Sequence, residues 1–359
     1  MSFRSYLLLF LSAVAWPAYV RSAEIPLHRF AYAKAEMGVP FQITLFAADE
    51  PTAKAAADAA FARVEILNSI LSDYDPDSEL SRLSQTSGQG KVVPVSSVLW
   101  RVLEPAQALA ARTGGAFDVT IGPLVGLWRK ARREKALPNP ELVAEFRGRV
   151  GFQKLRLDDA ARTAELLAPE MRLDLGAIAK GFAADEALAV LRMHGITRAL
   201  VAASGDMAAG DPPPGQAGWR VGVAGLDVPG APDAQIVLLK NRAIATSGDV
   251  FQRVEIEGRR YSHIVDARTG SGITDHSLVT VIAPDCLTAD SLATAVSVLG
   301  PEAGLRLIHE TPGTAVHVVR KPGEQIETME SVSWAEVPKA SADPAPLAQP
   351  EPSGVGTGS

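Results

Sequence analysis

Three groups of residues have side-chain types and spacings that chemistry could use. The first is Arg172-Leu173-Asp174-Leu175-Gly176-Ala177-Ile178-Ala179-Lys180-Gly181. It reads as a buried strand, a glycine turn and a helix start, with one acid and one lysine at the turn. Gly176 and Gly181 permit close backbone approach. Amides near residues 177–181 would face outward at the helix start, where the dipole favours an anion. Lys180 adds a point charge within reach of a phosphate. The segment matches neither the P-loop pattern nor the Gly-x-Gly-x-x-Gly fingerprint, and a plain tight turn with an exposed lysine reads the same way.

The second group is Asp290 with Thr294. A helix places both oxygens on one face, one turn apart. A carboxylate and a hydroxyl so placed suit a hard cation such as Mg²⁺, which takes few protein oxygens and fills its shell with water and phosphate. Asp290 could equally just complement the helix dipole. The third group is Tyr261-Ser262-His263-Ile264-Val265-Asp266-Ala267-Arg268-Thr269-Gly270. Here His263 is a candidate general base or ligand contact, and also a plausible structural histidine. Acid-bearing turns follow strands at Ser204-Gly205-Asp206, Thr246-Ser247-Gly248-Asp249 and Gly115-Ala116-Phe117-Asp118. Sites are often assembled at strand ends, so their joint occurrence carries more weight than each alone.

The elements that must position these residues follow from periodicity. Phe41 to Phe46 alternates as a strand, and residues 52–71 have a helical period through Ala60, Val64, Leu67 and Leu71. Residues 73–80 form a loop, 97–112 a helix, 119–128 a mixed turn segment, and 129–135 a solvated helix face. Short strands are expected at 155–157 and 164–168. A helix follows from Ala179 to His194, stopped by Gly195. Strands at 198–202, 219–223, 234–239 and 242–246 continue a sheet. Strand-turn structure spans 261–272 and a strand spans 277–283. Helices at 288–299 and 303–309 and a strand at 314–319 complete the folded part. Because strands and helices do not alternate regularly, the expected class is α+β, with mixed or antiparallel sheets flanked by helices.

The 359 residues allow one large or two medium domains. A formal charge of −6 argues against a broad basic surface for nucleic acid. With one cysteine, Cys286, internal disulfides and multi-thiolate metal sites are excluded, and Cys286 reads as a small core residue. Arg4 followed by the apolar run Tyr6 to Trp16 and small residues is a secretory signal pattern, too short for a comfortable membrane span. Residues 1–22 are therefore expected to be a signal peptide of a periplasmic protein, with an uncleaved inner-membrane anchor as the alternative. No cysteine stands nearby to make a lipoprotein. Residues 23–340 are expected to form the working domain, as two intimately packed subdomains. Residues 341–359, rich in Pro, Ala, Gly and Ser, lack the apolar side chains to offset ordering entropy and read as a disordered tail.

Taken together, the motifs resemble those of the ApbE family, the FAD:protein FMN transferases. They are Glu36-Met37-Gly38, Tyr74 with Ser78-Glu79-Leu80, Gly115-Ala116-Phe117-Asp118, Leu173-Asp174 with Gly176-Ala177 and Lys180-Gly181, Thr246-Ser247-Gly248-Asp249, His263-Ile264 with Asp266, Arg268 and Gly270, and Ala289-Asp290 with Thr294-Ala295. They occur in the family's order across roughly residues 35–320. The family more often has threonine after Met-Gly where this chain has Val39-Pro40, Gly-Gly-Asp where it has Ser204-Gly205-Asp206, and proline where Ala267 stands.

The resemblance implies a T-fold-like architecture with FAD in a cleft between two subdomains. It implies Mg²⁺-dependent transfer of FMN from FAD to a threonine hydroxyl of a target protein, with AMP leaving. The acceptor would be an exported or membrane-bound flavoprotein subunit with a Ser/Thr-Gly-Ala-Thr-type motif. Carried over by position, Met37, Tyr74, Ala116, Phe117, Asp118, Asp174 and Lys180 would contact FAD, with His263 and Ile264 bordering flavin and pyrophosphate. The metal would take the main-chain oxygen of Ala177 and the side chains of Asp290 and Thr294. His263 and Asp266 are the candidate bases. The same residues would also serve a Mg²⁺-dependent FAD pyrophosphatase, or a periplasmic FAD-binding protein without turnover.

Overall fold

Residues 26–226, 228, 235–248 and 253–340 are described in the computed structural model of the chain. The segment expected to be a signal peptide, the segment expected to be a tail and Asp249 lie outside them. Eight strands build the central sheet: β1 (His28–Glu36), β2 (Val39–Ala47), β3 (Ala199–Ala203), β4 (Asp206–Ala209), β5 (Arg242–Gly248), β6 (Ser277–Ala283), β7 (Ala315–Arg320) and β8 (Glu327–Glu330). Their order in the sheet is their order in the chain, and every adjacent pair is antiparallel. The α+β expectation therefore holds. Chain outside the strands is inserted between neighbours, the longest piece running from residue 48 to residue 198.

Five helices matter for the site: α1 (Glu50–Leu71), α2 (Ser97–Arg112), α3 (Gly122–Glu134), α4 (Ala179–Met193) and α5 (Cys286–Leu299). α1 lies on β1 and β2, α4 on β3 and β4, and α5 on β5 and β6, with the three helices side by side. Alanines at 53, 56, 57 and 60 in α1, 183, 184 and 187 in α4, and 289, 293 and 295 in α5 form the buried faces. Small side chains let these helices sit close to each other and to the sheet. Phe41, Ile43, Leu45, Val201, Val279, Val281 and Val316 meet them from the sheet. The opposite face carries Ala209, Ile244, Ile282 and Ala315 against Trp219, Val237 and Trp334. β6 is covered on both sides, which explains why Ser277–Ala283 is buried throughout and shows no polar alternation.

Several expectations shift. Residues 219–223 and 235–239 form a separate two-stranded sheet that covers the main one and does not extend it. The expected turn segment 119–128 and solvated face 129–135 are mostly one helix, α3. Pro123 occupies its first turn, where no N–H is needed, so Gly122-Pro123 opens a helix there. Trp128 of α3 donates to the Gly270 carbonyl at 2.8 Å and packs with Tyr261, Val254 and Val265 in a cluster separate from the main core. This cluster holds the His263 segment in place. Cys286 is buried and free.

α4 and α5 are clamped at one point. Asp185 of α4 accepts from the Cys286 and Leu287 amides at 2.9 Å, while Asp285 caps α5 through the Thr288 amide at 2.8 Å. Burial pushes the Asp185 carboxyl up to about 7, against the lowering effect of those two amides. Asp185→Ala would leave two part-buried amide donors at the start of α5 without their partner. The raised pKa means that this contribution is lost as pH rises through about 7. The variant's stability is therefore read by thermal unfolding at pH 5, where it should fall by about 1–3 kcal/mol. An unchanged midpoint would show that Asp185 is not a clamp.

Candidate functional site

One end of the sheet collects the chemically equipped turns. The β1–β2 tip (Met37, Gly38), the β3–β4 turn (Ser204, Gly205), the end of β5 (Ser247, Gly248) and the start of β6 all lie there by register. The Ser204 amide donates to the Pro40 carbonyl at 3.3 Å, tying two of these turns together. Met37 has φ +50° and Gly38 +75°, the left-handed pair of a tight hairpin. Ser204 has φ +59°, a left-handed conformation that glycine adopts more readily.

The first turn of α4 lies above this end, where Lys180 is bracketed by two carboxylates. Its Nζ is 2.8 Å from Asp206 and 3.2 Å from Asp290, and it donates to the Gly176 carbonyl at 3.2 Å. Both acids are almost fully buried. Burial raises the Asp290 pKa, Asp206 raises it further, and Lys180 opposes both. For Lys180, burial works against the charge, but Asp290 and Asp206 outweigh it and hold the pKa above the ordinary value. One lysine thus faces two buried acids, an arrangement with room for further positive charge. Thr294 lies one turn beyond Asp290, its Oγ1 3.1 Å from Ser247 Oγ.

Among the described residues, no group of three His, Cys, Asp or Glu could hold a metal. The oxygens that the resemblance assigns to a metal are instead one carboxylate (Asp290), one hydroxyl (Thr294) and the Ala177 carbonyl, in the turn before α4. That sparse all-oxygen set fits a hard cation that completes its shell with water and phosphate. Asp206 was visible in the sequence only as an acid after a strand. Nothing in its spacing says that it meets Lys180, because that contact comes from stacking α4 on β4.

The opening segment needs two corrections. Arg172–Leu175 is not a strand: it makes one isolated bridge to Ile121, and its hydrogen bonds go to loop and side-chain partners. The Asp174 amide donates to Val119 O at 2.8 Å, the Leu173 amide to Ser84 Oγ at 3.1 Å, and the Gly122 amide to Arg172 O at 3.1 Å. The helix-start amides are also mostly committed. Ile178 and Ala179 donate to Leu175 O at 3.0 and 2.8 Å, and Gly181 donates to Asp290 at 3.1 Å. The expected cradle of open amides is therefore largely absent.

Of the other predicted contacts, Ala116 and Ile264 are buried together against Val298 of α5. Phe117 is a residue of the main core. Asp118 accepts from the Thr120 amide and hydroxyl at 2.8 and 2.7 Å, so it braces its own turn; burial raises its pKa against those bonds. His263 is half-buried on the connection between residues 259–262 and 265–266. Asp266 is engaged by Arg268, whose Nε and Nη2 reach its two oxygens at 2.9 Å each. That bidentate pairing fits a turn brace better than a base, which leaves His263 as the stronger candidate.

Asp174 and Tyr74 meet through a residue that was read as a solvated face. Arg129 of α3 places Nη1 2.8 Å from Asp73 and Nη2 3.1 Å from Asp174, with its guanidinium carbon 4.4 Å from the centre of the Tyr74 ring. The second Asp174 oxygen accepts from the Gly176 amide at 2.9 Å. Burial and Asp73 raise the Asp174 pKa, against Gly176, Arg129 and Arg172.

Known proteins resemble this chain in sequence and in fold. The ApbE family model matches residues 37–318. The FAD:protein FMN transferase of Klebsiella pneumoniae (strain 342) is 32% identical over 303 residues, covering 81% of this chain and 84% of that protein. The FAD:protein FMN transferase of Treponema pallidum (strain Nichols) is 35% identical over 273 residues, covering 72% and 75%. Among solved structures, the flavin transferase ApbE from Vibrio cholerae superposes with a TM-score of 0.78 at 30% identity, over 87% of this chain and all of that one. The apo form of the Pseudomonas stutzeri flavinyl transferase ApbE gives 0.77 at 29% identity, over 87% and 97%. With the family's motifs in order, its fold, and matches over most of its length, this chain belongs to the ApbE family.

Proposed function

We propose that this chain transfers the FMN half of FAD to a threonine hydroxyl of an acceptor protein. The observation that carries the reading is the buried Asp206–Lys180–Asp290 group beside Thr294, at the sheet end where the family's motifs converge. The acceptor oxygen bonds to the phosphorus on the riboflavin side of the pyrophosphate. The bond from that phosphorus to the bridging oxygen breaks, and AMP leaves with the bridging oxygen. The threonine proton passes to His263. Lys180 neutralises charge on the pyrophosphate, and Arg268 and Asp266 hold the turn that carries His263. Met37, Tyr74, Ala116, Asp174 and Ile264 belong to the wall of the FAD cleft; Phe117 and Asp118 support it from the core side. Positioning and electrostatics carry most of the rate.

Asp290, Thr294 and the Ala177 carbonyl are the proposed holders of Mg²⁺, which when bound would offset developing negative charge on the phosphates. The leader pattern at residues 1–22 supports action in the periplasm on an exported or membrane-bound flavoprotein subunit with a Ser/Thr-Gly-Ala-Thr-type motif.

The test is incubation of the mature protein with FAD, Mg²⁺ and such a subunit, following AMP release and covalent flavin in the gel band. AMP with a fluorescent acceptor band is expected. AMP without labelling would mean a pyrophosphatase, and neither product a binding protein. His263→Ala should cut transfer by roughly 10²–10⁴-fold while FAD still binds, as loss of a general base would. Undiminished transfer would remove His263 from that role.

A further inference from the structure

Tyr74 is an unusual wall for a ligand site. It is 74% exposed, on a loop just beyond α1, and a side chain so placed would ordinarily sample several rotamers. Here one ring face is covered by the Arg129 guanidinium. Arg129 is itself held on two sides. Asp73, the neighbour of Tyr74, takes one nitrogen, and Asp174, in the turn that leads to Lys180, takes the other. A planar guanidinium can pair with two carboxylates and stack on a ring together; an ammonium cannot. The Asp73 carboxylate also lies 3.6 Å from Arg172, so the loop is gripped from both sides. The preceding residue on α3, Trp128, fixes the helix to Gly270 in the segment that carries His263. α3 thus connects the Tyr74 loop, the Asp174 turn and the His263 segment.

We propose that Arg129 is a positioning residue for FAD: anchored by Asp73 and Asp174, it sets the Tyr74 ring as one wall of the pocket. The inference rests on the reading of Tyr74 as an FAD contact, and the test separates the two.

FAD affinity is measured by flavin fluorescence, with KM and kcat for AMP release, in Arg129→Met, Arg129→Lys, Tyr74→Ala and the Arg129→Met/Tyr74→Ala double variant. Arg129→Met should weaken FAD binding and raise its KM by roughly tenfold while kcat changes by no more than about twofold. Arg129→Lys keeps a cation between the carboxylates, so its unfolding midpoint should stay near wild type while FAD binding remains weakened. In the double variant FAD should bind no more than about twofold worse than in Tyr74→Ala alone, since Arg129 would act through that ring. Wild-type FAD affinity in a folded Arg129→Lys or Arg129→Met protein would overturn the proposal, and so would additive losses in the double variant. If Tyr74→Ala itself binds FAD normally, the reading of Tyr74 fails and the proposal with it. If Tyr74→Ala is impaired and the Arg129 variants are not, only the proposal fails.

Discussion

Asp290→Asn should lower AMP release from FAD by a factor on the order of 10³ while leaving the fold intact. The substitution keeps the shape of the side chain, and the amide oxygen can still accept from the Gly181 N–H, now 3.1 Å from Asp290. Lys180 keeps Asp206 at 2.8 Å, so it is not left as an unpaired buried cation. What disappears is the one carboxylate in the proposed cation site. The Asp290 pKa is raised by burial and by Asp206, so its charged form is disfavoured in the folded chain. A carboxyl raised in this way contributes most at pH values below its unfolded pKa, and loses that contribution as pH rises through the folded value. In EDTA at neutral pH the variant should therefore unfold no earlier than wild type. On adding Mg²⁺ only the wild type should gain thermal stability, because a ligand of the native state shifts the midpoint only where it has a site. Metal-dependent AMP release at the wild-type rate, or an equal midpoint gain in both proteins, would eliminate Asp290 as a ligand.

The parts of this site that sequence could reveal are those set by local period. Asp290 and Thr294 share a helix face because four residues make about one turn, and α5 places both at the sheet end. Gly181 was read as a point of close approach and is one. What the sequence did not reveal was set by which element stacks on which. Arg129 lies in a run of basic residues that looks solvated, and only the docking of α3 against the Asp73 loop turns one of them inward. Asp206 follows a strand as other acids do, and only the placement of α4 over β4 selects it. The extended look of Arg172–Leu175 misled because burial alone, without a neighbouring strand, gives the same apolar pattern. Met37, Ala177 and Ile264 carry no chemical signature in their side chains, and their place in the reading came from the family pattern.

Gly181→Ala is the variant with the largest expected structural effect, since a single methyl group would act on both fold and chemistry. A Cβ at Gly181 would lie 2.2 Å from the Cys286 carbonyl oxygen, 2.6 Å from its carbon and 2.9 Å from the Asp290 Cβ. The first two are backbone atoms at the start of α5, which cannot rotate away as a flexible side chain could. α4 and α5 must separate, and overpacking of this kind costs about 1–3 kcal/mol, occasionally more. The intrinsic helical preference for alanine returns at most about 1 kcal/mol, so the clash wins. Separation also stretches the Gly181–Asp290 hydrogen bond and the Lys180–Asp290 pair, now 3.1 and 3.2 Å. A shift of about an ångström in a positioned catalytic group costs on the order of 10²-fold in rate. The matched control is Gly126→Ala in α3, where an added Cβ meets nothing within 4 Å. That variant should be neutral or up to about 1 kcal/mol more stable, with unchanged AMP release. The two midpoints and rates, measured side by side, separate a generic glycine effect from a local one. If Gly181→Ala matches its control in both, close contact between α4 and α5 is not what holds Lys180 and Asp290 together.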